Sequence, residues 1–186
     1  MAQTPRAILG LVERLGVRAL AFEWSYDELD RVVQPVLSSG SVALDLLWRM
    51  PSSAEVFSGD GRFTTGHVRL LEHLADRLDR IVLLDRVGSE ASDRERGMTR
   101  RLLAARRRNS PLLAVLGASH VVRSPVGDLE PVGLQVDGKV PGVANGVLAP
   151  SSGRFWFHGE QELPSGPPPP ADVVVPLGVA SPAVVP

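Results

Sequence analysis

The chain is predicted to fold as an α/β domain around a mainly parallel sheet, with a proline-rich C-terminal appendage. Two observations lead to this. V-R-A-L-A-F-E at 17 to 23, I-V-L-L-D at 81 to 85 and L-L-A-V-L at 112 to 116 are apolar runs of strand length, nearly continuous rather than alternating, as strands buried on both sheet faces should be. The segments between them have helical apolar spacing and capping signals, the arrangement of crossover units.

The first helix is expected over residues 5 to 15. Thr4 is a capping residue, Pro5 suits the first helical position and Gly16 closes the segment, with Ala7, Ile8, Leu11, Val12 and Leu15 forming the apolar stripe. Ser25 with Glu28 forms a capping box for a second helix, which Pro35 kinks or ends, and Ser41 caps a third running through Trp48. Residues 66 to 79 carry Leu70, Leu71, Leu74 and Leu78 at helical spacing. Ser92 with Glu95 reads as a second capping box, opening a helix that turns Met98, Leu102 and Leu103 to the core.

From Ser124 onward the chain holds 12 of its 16 prolines, and P-S-G-P-P-P-P at 164 to 170 is incompatible with a helix or a central strand. G-L-Q-V at 133 to 136 and R-F-W-F at 154 to 157 are expected as edge strands, and the last twenty residues as a polyproline-like or disordered tail. The expected organisation is an α/β core over residues 1 to 123, an irregular region over 124 to 163 and a tail over 164 to 186.

At 186 residues and 44% apolar composition, one sizeable core is expected. A net charge of -1 gives no overall attraction to nucleic acid or anionic membrane. The arginine-rich helix after Ser92 lacks interleaved aromatic residues, and 19 of the 20 basic residues of the chain are arginine, so it reads as a solvated face. Zero cysteines exclude disulfides and thiolate chemistry. The apolar run after Arg6 is broken by Glu13 and Arg14, so a cytoplasmic location with a small-molecule substrate or ligand is expected, and neither a membrane nor a specific nucleic acid as partner.

Glu23, Asp85 and His120 lie at the carboxyl ends of the three expected strands, the end where parallel sheets open into a ligand crevice. A carboxylate beside an imidazole orients it and raises its basicity, which suits activation of water, and Glu23 with His120 would equally serve a divalent metal. The plainer role for Asp85 is capping a helix or pairing with an arginine. Arg94, in the first turn of its helix, opposes the helix dipole at a cost of about 0.3–1 kcal/mol. Two roles would account for it: holding an anionic group of the substrate, or locking Glu23 by bidentate pairing. His67 and His73 are six residues apart on one helix, on different faces, which excludes a two-histidine metal pair, while His67 near the helix start is placed to reach the crevice. A side chain at a strand exit contributes little packing, so replacing His120 is expected to spare stability.

The segments A-L-A-F-E at 19 to 23, D-G-R-F-T-T-G-H at 60 to 67, R-E-R-G-M at 94 to 98 and G-A-S-H at 117 to 120 resemble those of the erythromycin esterase and haem-binding uptake superfamily, to which the Tiki-type metalloproteases are related. The resemblance implies a three-layer α/β sandwich, with Glu23, Arg94 and His120 as active-site residues and Arg62, His67 and Asp85 as secondary candidates. It implies a hydrolase, with or without a divalent metal, or alternatively a haem or small-ligand binder with His120 or His67 as axial ligand. A truncated, inactive remnant acting only through protein contacts is the third reading. Members of the superfamily open with a strand ending in Gly-Glu-x-His-Gly, which this chain lacks. Such a strand is therefore expected to be encoded upstream of Met1.

Overall fold

The computed structural model describes residues 3–50, 63–86, 88–107, 110–140, 142–144, 146–150, 154–156, 160–162 and 172–177. Three strands form the central sheet: β1 (Ala19–Ser25), β2 (Arg80–Asp85) and β3 (Leu112–Val115). The order is β2-β1-β3 and both pairings are parallel, with Leu20 opposite Ile81 and Leu113, and Phe22 opposite Leu83 and Val115. All three strands therefore exit at the same end of the sheet.

Helices cover both faces. On one side lie α1 (Gln3–Leu15), α2 (Tyr26–Val33), α3 (Val36–Ser39), α4 (Leu44–Trp48) and α5 (Thr65–Leu74). Ile8, Val12, Leu29, Val32, Leu70, Leu71 and Leu74 from this layer are buried with Leu20, Phe22 and Leu83 of the sheet. Across the sheet lie α6 (Ala91–Ala105), the one-turn α7 (Ala118–Val121) and α8 (Val132–Asp137). Here Met98, Val132 and Val136 pack on Ala21 and Leu84. The result is a three-layer α/β sandwich in which alternate strand residues feed opposite cores. Each fully buried large apolar side chain contributes roughly 1.5–3 kcal/mol, so the two-sided sheet is the main source of cohesion.

Several local expectations are corrected. β1 begins at Ala19 and runs two residues past Glu23, to Ser25. Ser25 stands before α2 without a side-chain cap, its hydroxyl buried and unpartnered. Ala43 rather than Ser41 precedes α4, and α5 ends at Leu74, short of residue 79. α6 starts after Glu90, which places Ser92 inside the helix and removes the second capping box.

Residues 133 to 136 belong to helix α8 rather than an edge strand, because the buried Val132 and Val136 share a helical face and Pro131 precedes it. β4 (Gly146–Pro150) pairs in parallel with β7 (Val173–Leu177), so part of the tail is strand. Pro176 is tolerated there because a two-stranded sheet leaves each strand an outward edge. β5 (Arg154–Trp156) pairs antiparallel with β6 (Glu160–Glu162). Residues 164 to 170 lie outside the described residues. Among the described residues no helix is long and apolar enough to cross a membrane.

Candidate functional site at the strand exits

The site starts at the end of β1. The register of β1 against β2 shifts between Phe22 and Ser25, so the irregularity falls on Glu23 and Trp24. Such a bulge re-aims side chains at the end of a strand. Phe22 and Trp24 stack on the helix-α5 side, centroids 3.9 Å apart, and Glu23 points to the other face, toward α6.

There Glu23 Oε1 accepts from Arg94 Nη2 at 2.7 Å and lies 3.2 Å from His120 Nε2, while Glu23 Oε2 accepts from the Gly117 amide at 2.6 Å. A Cβ on Gly117 would sit 3.1 Å from that same oxygen, so glycine is what lets the backbone donor approach. Arg94 is held from behind by Asp85, which accepts from Nε at 2.8 Å and from Nη2 at 2.6 Å. The fork expected to grip Glu23 thus closes bidentately on Asp85 and reaches Glu23 with one nitrogen. That arrangement favours the locking role for Arg94 over an open anion clamp.

Beyond His120 lies Glu95, which sequence reasoning assigned to a helix cap. Its Oε1 makes a very short contact with His120 Nδ1, and its Oε2 accepts from the Val132 amide at 3.0 Å. The two partners are 25 and 37 residues away in sequence, so no local signal pointed to them. Gly133 makes the same corner possible: a Cβ there would lie 2.2 Å from the Val121 carbonyl oxygen, which packs α8 tightly against α7.

The side chains are largely removed from water, Glu23 being 5%, Glu95 8% and His120 12% exposed. His120 is therefore neither open to the crevice nor free of structural weight, contrary to the expectation that it contributes little. Burial is the largest influence on its ring and opposes the charged form, but Glu23 and Glu95 together outweigh it and hold the pKa above 6.5. The Arg94 guanidinium is held more firmly charged, by the hydrogen bonds to Asp85 foremost and despite its own burial.

His67 is not part of this site. It packs edge-on against Phe22 and Trp24, ring centroids 6.2 and 5.4 Å away, on the opposite face of β1 from Glu23. Thr64, which precedes α5, accepts from the His67 amide, and its hydroxyl sits 3.0 Å from Nδ1. Burial pushes the His67 pKa down to about 4, so the ring is neutral at physiological pH. His73 is exposed on the other side of the helix, and Arg62 lies outside the described residues.

A metal ion or haem iron at His120 would have to displace Glu23 or Glu95 from the imidazole, and at His67 it would have to enter an aromatic cluster that leaves the residue 7% exposed. Among the described residues no group of three or more metal-ligating side chains is disposed to hold an ion. The residues present do not fit either group.

No family model matches the chain, and no curated protein matches it. Among solved structures, it is similar to RRSP, a MARTX toxin effector domain from Vibrio vulnificus CMCP6, with a TM-score of 0.40 and 18% identity over 61% of this chain. The match spans 25% of that domain's chain.

Proposed function

We propose that the protein is a cytoplasmic hydrolase of small-molecule esters, of the erythromycin esterase type, with Glu23 and His120 as the reacting pair and Arg94, Asp85 and Glu95 as positioning residues. The observation that supports this is the contact of His120 Nε2 with Glu23 Oε1. At 3.2 Å it is the longest contact in the network, between two groups each anchored from the far side. A water that parts this contact meets a carboxylate oxygen and an imidazolium N–H together.

Glu23 takes a proton from that water as the hydroxide oxygen adds to the ester carbonyl carbon. The carbon–oxygen bond to the leaving group then breaks, and His120 Nε2 gives its proton to the departing alkoxide. The proton held by Glu23 passes to Nε2 and restores the starting state. Arg94, itself locked by Asp85, holds Glu23 Oε1 in place for that transfer.

A second reading, a non-catalytic small-ligand binder, is favoured by one specific feature: both ring nitrogens of His120 are taken by side chains of the chain itself. Hydrolysis of a panel of p-nitrophenyl esters separates the two. Turnover by the wild type that falls about 10²–10⁴-fold in both Glu23→Gln and His120→Asn supports the hydrolase. Turnover that survives either change, or none in the wild type, favours the second reading.

A further inference from the structure

The cleft that adjoins the site has a different chemistry from the site itself. It has a volume of about 1000 Å³ and meets the network at Arg94, and its wall includes Tyr26, Arg86, Gly97, Arg100 and Arg101. Arg94 and Arg101 are seven residues apart on α6, two turns along one face, or about 10 Å. Gly97 lies between them, and a Cβ there would meet nothing within 4 Å. A helix-interior glycine costs about 1 kcal/mol relative to alanine, and no packing contact accounts for this one.

Arg101 is fixed in an unusual way. Its guanidinium carbon lies 3.9 Å from the centroid of the Tyr26 ring, and its Nε donates to the Leu83 carbonyl on β2 at 2.8 Å. Tyr26 also starts the helix that follows Glu23's strand, so ring, strand carbonyl and guanidinium form one rigid unit. The stacked plane and the anchored Nε leave the two terminal Nη groups as an oriented fork, the geometry that recognises oxyanions. Arg100 adds positive charge beside it, while the charge of Arg86 is shared with Asp27, 3.5 Å away. Of the carboxylates on the same wall, Asp93 is paired with Arg96 at 2.5 Å, and Glu90 stands at the far end before α6.

We propose that Arg101, stacked on Tyr26, is the phosphoryl-binding subsite of the substrate cleft. Resting on the hydrolytic reading of the adjoining site, this defines the substrate class as an ester that also carries a phosphate monoester group. The dianionic phosphoryl group is specified because the fork and the neighbouring Arg100 supply more positive charge than one carboxylate requires.

The test is calorimetric titration of the full chain with inorganic phosphate, with acetate as the monoanionic control, at low ionic strength. Phosphate is expected to bind in preference to acetate. Affinity should fall at least tenfold in Arg101→Gln, in Arg101→Lys and in Tyr26→Leu, and stay unchanged in Arg69→Gln, an exposed arginine of α5. Circular dichroism confirms that each variant is folded. Failure of the wild type to bind phosphate, equal binding of acetate, full affinity in Arg101→Lys or an equal loss in Arg69→Gln would overturn the subsite. Phosphate binding needs no turnover and should persist in His120→Asn, so failure here and failure of the hydrolase are separately visible.

Discussion

His67 gives the chain a stability term that depends on pH in a specific direction. Its ring is neutral in the fold, with a pKa of about 4 against 6.5 for an ordinary histidine. Above that ordinary value both folded and unfolded chains carry a neutral ring, and the residue contributes nothing to the pH dependence. Below it, the unfolded chain takes up a proton that the buried ring refuses, so stability falls by about 1.4 kcal/mol per pH unit until the folded ring titrates. The full loss across the window is about 3 kcal/mol, and about 2 kcal/mol of it should be spent by pH 5 or so.

Replacing His67 by phenylalanine removes the titration and keeps the ring volume among Phe22, Trp24 and the Thr64 side chain. It also removes the Nδ1 partner of the Thr64 hydroxyl, a pH-independent cost of about 1 kcal/mol. Urea unfolding followed by tryptophan fluorescence, at several pH values from neutral to about 5, measures both chains. The difference between wild type and His67→Phe should shift by about 2 kcal/mol across that range, because every other group cancels in the comparison. Two curves that run parallel would refute the reasoning and mean that water reaches the ring.

Glu95→Gln keeps the size of the side chain and removes its charge, so His120 should lose part of its upward pKa shift, and pH profiles of turnover should move to lower pH with the fold retained. Gly133→Ala forces a methyl group into the Val121 carbonyl, so α7 must shift; a loss of about 1–3 kcal/mol in urea unfolding is expected, together with a fall in turnover. His120→Asn should itself lower stability, since Glu23 and Glu95 lose a charged partner in a poorly solvated site, and an unchanged melting temperature would contradict the burial of the network.

The parts of the fold that depend on contiguous sequence were legible. Three apolar runs announced three parallel strands, and the strand-exit rule drew attention to Glu23, Asp85 and His120, which the structure brings to one end of the sheet. What was not legible is set by contacts between distant segments. Ser92 and Glu95 have the spacing of a capping box, yet the partners of Glu95 are supplied by α7 and the start of α8. His67 was a secondary candidate, placed near enough to reach the crevice, because no local pattern tells which face of β1 a neighbouring helix will cover. G-L-Q-V is too short to distinguish a period of two from one of 3.6, and its burial against α6 and α7 decides for helix. V-V-V-P-L reads as interrupted by proline, but its partner strand lies 27 residues earlier, Gly146 opposite Val173.

The central claim is that Glu23 and Glu95 hold the His120 ring between them as an imidazolium. Long-range ¹⁵N–¹H correlation spectra of the imidazole nitrogens at neutral pH report this directly. The account predicts that His120 carries protons on both Nδ1 and Nε2, while His67 in the same sample is neutral, with a proton on one ring nitrogen alone. A neutral His120, carrying a proton on one ring nitrogen alone, would contradict it.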